Sequence, residues 1–243
     1  DSACGISISQ QTSQVVVVWQ MGNEARSRII FDLTKNKPLI QSVAIVAGNG
    51  PWQTVAQNVD PVLMLRVGKR DLAKRNGWTI FFDRMQRKPH QLFKAELDRS
   101  RAVASSHSKR ATLRIGKLKV GPFQGHLQWT FYAGHSFVLQ EAVLKTDQDE
   151  VAYLYDTGLV FHETLPSELT WKDTKGVAQT GRPADLRAAR SHAVRGRAIS
   201  GQFNNGSLAL FPPPHRYFYP LDFSNNFKNI WTGANVNDQD LPF

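Results

Sequence analysis

The feature that most restricts the fold is a two-residue rhythm in the apolar side chains, clearest over residues 123–132. Phe123, Gly125, Leu127, Trp129 and Phe131 alternate with Gln124, His126, Gln128, Thr130 and Tyr132. Successive strand side chains point to opposite faces, so this alternation specifies a strand with one buried and one wetted face. Ala133, Gly134 and His135 then supply a turn signal. Residues 136–145 resume as a second strand, which predicts a hairpin.

Comparable short runs lie at 6–9, 15–19, 27–31, 39–46, 62–67, 78–82, 101–105, 111–120, 151–160, 168–171, 193–199 and 202–211. Gly, Asn, Asp or Pro separates most of them, and these residues turn the chain at low conformational cost. The run 111–120 alternates through Leu113 and Ile115 and then changes phase at Gly116, where a β-bulge is expected. Helical patterning is weak: residues 71–75 and 184–191 are the candidates for short helices, and neither holds an apolar stripe over three turns. No repeat of roughly 20–50 residues marks a solenoid or propeller. The expectation is an all-β chain: one large antiparallel β-sandwich, supersandwich-like, spanning 1–243, with long loops and at most short helices. Single all-β domains commonly reach roughly 200–250 residues. The polar, cationic stretch 69–90 reads as a loop crossing a sheet.

Charge is unevenly placed. The chain carries +10, yet 16 Lys and Arg against 4 Asp and Glu between Arg66 and Lys119 give that segment +12 and leave −2 elsewhere. Such a segment attracts polyanions through counterion release, and solvated loops are the competing reading. A smaller group, Arg182, Arg187, Arg190, Arg195 and Arg197, is opposed only by Asp185. Nucleic acid is disfavoured as a partner, because Trp78, Phe81, Phe82 and Phe93 read as strand residues and no recognition helix or zinc finger is present.

Several classes of chemistry lack their motifs. There is no phosphate-binding glycine loop, dinucleotide fingerprint or nucleophile elbow. The single Cys4 excludes an intrachain disulfide framework, and the seven histidines show no zinc spacing. No cofactor is expected. The runs 147–150 and 235–240 leave structural calcium open, although neither has the full chelating pattern. The longest apolar runs, such as 15–19 and 42–47, fall short of the roughly 18–20 residues that span a bilayer, so no membrane span is expected. The start at Asp1 and the abrupt end at Phe243 suggest a piece of a longer, secreted or periplasmic protein, with a neighbouring domain in the same chain.

The most unusual segment is Phe211-Pro-Pro-Pro-His-Arg-Tyr-Phe-Tyr-Pro220 and the residues that follow to Trp231. Prolines fix φ and remove donors, so strand pairing must stop and the next residues are held at a defined angle. Sugar rings have apolar C–H faces and hydroxyl edges, which call for aromatic plates flanked by Asn, His and Arg. The candidate groove is therefore Arg216, Tyr219, Asn226, Trp231 and Arg197 as substrate-binding groups, with His215 and Tyr217 as the proton-transfer candidates. The competing reading is that the aromatics pack the loop onto the sandwich. Tyr153 and Tyr155 share one strand face, with His162 and Glu163 near its end, and packing at a strand rim is the simpler account of them. Carboxylates for glycoside hydrolysis would come from Glu141, Asp156, Glu163 or Asp222.

The segments 123–160 and 197–231, through their runs 125–132, 141–146, 151–159 and 211–220, resemble the large galactose-mutarotase-like β-sandwich domains of bacterial secreted proteins that handle polysaccharides. The resemblance covers about a third of the chain and transfers no residue role. It implies a domain that binds or processes a polysaccharide or oligosaccharide, with an anionic glycan left open. If the domain is an enzyme, the expected activity is that of a polysaccharide lyase or glycoside hydrolase. The alternative is a non-catalytic interaction or scaffold domain of a larger protein, binding a polyanion or protein partner through residues 66–119.

Overall fold

Val15, Val17 and Trp19 alternate with Val16 and Val18, and the strand they specify buries the first set almost completely, at 1%, 0% and 2% exposure. The computed structural model describes residues 4–22, 24–70, 89–186, 190–213 and 228–233. The chain is all-β and built from antiparallel sheets. It divides into two compact units, one of residues 1–78 and 85–164 and the other of residues 79–84 and 165–243.

The first unit contains β1 (Ile6–Gln11), β2 (Gln14–Gln20), β3 (Ala25–Asp32), β4 (Ile40–Ala47), β5 (Gln53–Lys69) and β6 (His90–Lys94). They are followed by β7 (Glu96–His107), β8 (Arg110–Val120), β9 (Phe123–Tyr132), β10 (Val138–Lys145) and β11 (Val151–Phe161). One sheet runs β1-β2-β3-β4-β5-β11 with β6 also paired to β5, and a second runs β10-β9-β8-β7. The inner faces meet through aromatic pairs, Trp19 with Phe131 at 5.1 Å and Phe31 with Trp129 at 4.9 Å between ring centroids. Such tilted pairs add about 0.5–1.5 kcal/mol beyond the burial of their area. Leu113, Ile115, Leu118 and Leu127 complete the core on the second sheet.

The expected hairpin is present, with Phe131 opposite Val138 and Gln124 opposite Lys145. So is the bulge: the β8–β9 register jumps between Ile115 and Leu118, and Gly116 has φ +65°. A Cβ at Gly116 would lie 1.6 Å from the Asp98 carbonyl oxygen, so no larger residue fits. β5 is far longer than the run 62–67 suggested. Its first half pairs with β4 and its second half with both β6 and β11. Pro61 breaks the sequence signal, but it falls between Val59, the last partner of β4, and Met64, the first partner of β6. A residue without an N–H is tolerated in such a gap in the ladder.

The second unit is a five-stranded sheet of β12 (Glu168–Asp173), β13 (Ala178–Gly181), β14 (Arg190–Phe203), β15 (Gly206–Leu210) and β16 (Lys228–Thr232). Its order is β13-β12-β14-β15, with β16 also paired to β14. His192 is buried, with Nε2 2.8 Å from Thr232 Oγ1 and its ring 4.3 Å from that of Trp171. The helix expected over 184–191 is replaced by a single 3-10 turn at Pro183–Leu186 and by the start of β14. Pro183 favours a turn start, and the residues beyond it are claimed by pairing with β16. The helix candidate 71–75, the strand candidate 78–82 and most of the expected loop 69–90 lie outside the described residues.

Candidate polyanion-binding face

The alternation that buries Leu113, Ile115, Leu127 and Trp129 turns their neighbours outward, so the second sheet of the first unit has a wholly different outer face. In register across β7, β8, β9 and β10 this face carries His107, Arg110 and Tyr132, then Ser105, Thr112, Thr130 and Leu139. The next rung holds Val103, Arg114, Gln128 and Glu141, and the last holds Glu96, Lys119, Gln124 and Lys145. Arg101 and Lys117 extend from the two bulged stretches, and Asp98 stands opposite Lys117. Arg101, Arg110, Arg114, Lys117, Lys119 and Lys145 are all exposed.

These cations are not spread at random. Neighbouring strands lie about 4.8 Å apart and alternate residues of one strand about 6.7 Å apart, so the outward side chains form a regular grid interrupted at the bulges. Glu96 and Asp98 face Lys117, Lys119 and Lys145 at one end, Arg110 and Arg114 lie toward the other end with Glu141, and Arg101 stands between them, next to the Asp98 rung. Arg114 Nε donates to Gln128 Oε1 at 2.9 Å, and Gln128 Nε2 donates onward to Glu141 Oε2 at 3.3 Å. That rung fixes the direction of the Arg114 fork while its two terminal nitrogens remain outward donors. Asp98 is held below the usual carboxylate range by the Ser100 backbone and side chain, and Lys117 and Lys35 lower it further. His126, between Gly116 and Val143 on the same face, has a buried Nε2 with no hydrogen-bond partner among the described residues.

The residues singled out from the sequence fare differently. His215, Arg216, Tyr217, Tyr219 and Asn226 lie outside the described residues. Arg197 lies on β14 and Trp231 on β16, both in the second unit, where only their backbone positions are described. Trp231 pairs with Ser191, six positions before Arg197 along β14. At about 3.3 Å per residue that is a separation of up to roughly 20 Å, so the register does not set the two side by side.

Two other clusters of charged groups occur in the first unit. Arg66 Nη1 lies 2.5 Å from Asp156 Oδ2, between β5 and β11, and only 4% of Arg66 is exposed. Burial lowers the affinity of Arg66 for its proton and raises the carboxyl of Asp156, while each partner's charge opposes the other's shift. Asp60 forms the second cluster: Oδ1 accepts from the Leu39 N–H at 2.7 Å and Arg99 Nη2 at 3.2 Å, and Oδ2 lies 3.0 Å from His162 Nε2. Arg99 also donates to the carbonyls of Asp32, Thr34 and Lys37. Both clusters are bracing contacts within the sandwich.

Two of the carboxylate candidates lie on different sheets. Glu141 faces outward on β10, and Asp156 is tied to Arg66 in the other sheet. Asp222 lies outside the described residues. Among the described residues no group of three or more His, Cys, Asp and Glu is placed to hold a metal ion, and no helix is long and apolar enough to cross a membrane. Tyr153 packs edge-on against Phe123 at 5.2 Å, as a rim residue would. The grid of cations could be anticipated from the charge run 66–119 combined with the strand pattern, but the Gln128 rung required the cross-strand register. Comparison with family models and with curated proteins returns no match for this chain.

Proposed function

We propose that the domain binds an anionic polysaccharide on the outer face of the β10-β9-β8-β7 sheet. The observation that carries this reading is the Arg101, Arg110 and Arg114 group, exposed on one sheet face and interleaved with Thr112, Gln128 and Tyr132. Guanidinium forks recognise carboxylates and sulfates in two-point fashion, while amide and hydroxyl groups serve sugar hydroxyls. Cations spaced along a sheet face suit an extended chain. Single-stranded nucleic acid would call for successive aromatic platforms under its bases, and Tyr132 is the one such side chain described on this face. The resemblance to polysaccharide-handling sandwiches supports the same substrate class. A ligand of this kind places the protein in a secreted or periplasmic setting.

The reading concerns binding. His215 and Tyr217 remain its candidates for any lyase-type proton transfer, with Arg216, Tyr219, Asn226, Trp231 and Arg197 as further substrate contacts. The test is affinity chromatography and titration with heparin, polygalacturonate, dextran and oligo-dT, using the native protein and an Arg101→Gln/Arg110→Gln/Arg114→Gln variant. Binding of an anionic polysaccharide that weakens at least tenfold in the variant, with dextran not retained, is expected. Undiminished binding by the variant, or equal affinity for oligo-dT, would contradict it. The second outcome would favour a general polyanion-docking surface.

A further inference from the structure

On the other sheet of the first unit, β3 places Arg26 and Arg28 on the face opposite Ile29 and Phe31. Their β4 partners are Val46 and Ala44. Continuing the β4–β5 register from Ala44–Thr54 and Ile45–Gln53 brings Trp52 opposite Val46. Trp52 therefore sits over buried Val46 and Ala44, and the two arginines lean on it: Arg28 Cζ is 4.6 Å and Arg26 Cζ 5.8 Å from the ring centroid.

Two like charges one strand repeat apart repel each other, and the usual remedy is a carboxylate. None of the ion pairs among the described residues includes Arg26 or Arg28. Arg28 Nε is buried and finds no acceptor among them either. Cation–π contact with one indole holds both guanidiniums in place without consuming their N–H donors. The apolar floor of Ala44 and Val46 lowers the local dielectric, which strengthens any charge pairing made there.

We propose that Arg26, Arg28 and Trp52 form an oxyanion-binding site, taking a sulfate, phosphate or carboxylate group on a small ligand or sugar unit. The two planar forks supply more donors than one oxyanion can saturate, and Trp52 offers its exposed edge to the body that carries the anion. The site lies on a different sheet from the Arg101, Arg110 and Arg114 face and does not rest on that reading.

The experiment is an NMR titration of the full chain with sodium sulfate, phosphate, glucuronate and glucose, against sodium chloride at matched ionic strength. The readouts are the Trp52 indole N–H, assigned with Trp52→Phe, and the Arg28 Nε–H. Saturable shifts of both signals with one or more oxyanions, absent with glucose and chloride, are expected, and the anion giving the tightest curve identifies the preferred group. Arg28→Gln should abolish the response and Arg26→Gln should weaken it at least fivefold, whereas Arg114→Gln should leave it unchanged. Shifts matching those of chloride, or undiminished in Arg26→Gln, would overturn the proposal. Arg26 is exposed, so its variant tests the site even if Arg28→Gln fails to fold.

Discussion

Arg66 and Asp156 show how a single pair can set the acid response of a sheet. Burial raises the Asp156 carboxyl above the ordinary aspartate value even though Arg66 pulls the other way. A raised carboxyl means that the folded chain holds this proton more tightly than the unfolded chain, so ionising Asp156 opposes folding and its contribution falls as pH rises above that value. Arg66 offsets much of that cost. Arg66→Met keeps part of the stem and strands the carboxylate, and breaking a buried pair from one side costs about 3–5 kcal/mol. The expected result in urea unfolding is a loss of that size at neutral pH that is smaller under mildly acidic conditions, as the stranded, buried Asp156 takes up its proton. Asp32 does not confuse the comparison. Burial pushes it up, but the Thr34 hydrogen bonds, Lys37 and Arg99 outweigh this, so its stabilisation persists above 3.8 and is lost only as pH falls below. An equal loss at both pH values would contradict the account.

At the scale of elements, legibility followed the alternation of side chains. β9 could be read directly because polar and apolar residues change places at every step, β10 because it resumes after the turn signal at Ala133–His135, and the bulge at Gly116 because the phase of β8 slips there. β5 was legible only in part: the apolar run 62–67 reads as a strand, but the mostly polar stretch 53–58 and Pro61 hide the half that precedes it. β6, β13 and β16 were also missed, being only four or five residues long. Tertiary polar contacts were illegible for a different reason. Asp60 is 21 positions from Leu39, 39 from Arg99 and 102 from His162, and no local pattern announces such partners. The consequence of that cluster can be measured. Asp60→Ala frees the Leu39 amide and loosens Arg99 from the β3–β4 connection. Hydrogen exchange at Leu39 should quicken about tenfold, a change worth about 1.4 kcal/mol, while Leu113 in the second sheet stays protected. Unchanged exchange at Leu39 would show that the connection is held by other means.

For the whole molecule, the charge of +10 resolves into separate roles once the strands are placed. Arg66 is spent inside the sandwich, Arg99 clamps a connection, and Arg101, Arg110 and Arg114 stand on one outer face. The sequence pattern could locate the basic segment but not divide it, because the one extra residue that β8 carries at its bulge decides which side of the sheet each later cation occupies. The aromatic and proline segment around His215 and Tyr217 drew attention through composition, and its candidates lie outside the described residues. The central claim is that the outer sheet face binds an anionic polysaccharide through its arginines. The most direct test is the salt dependence of heparin binding, since each cation that neutralises a charge on a linear polyanion adds about 0.7–0.9 to the slope of log K against log salt. The account predicts a linear fall in log K whose slope is smaller by about two to three units in the Arg101→Gln/Arg110→Gln/Arg114→Gln variant. A slope identical in the native and variant proteins would contradict it.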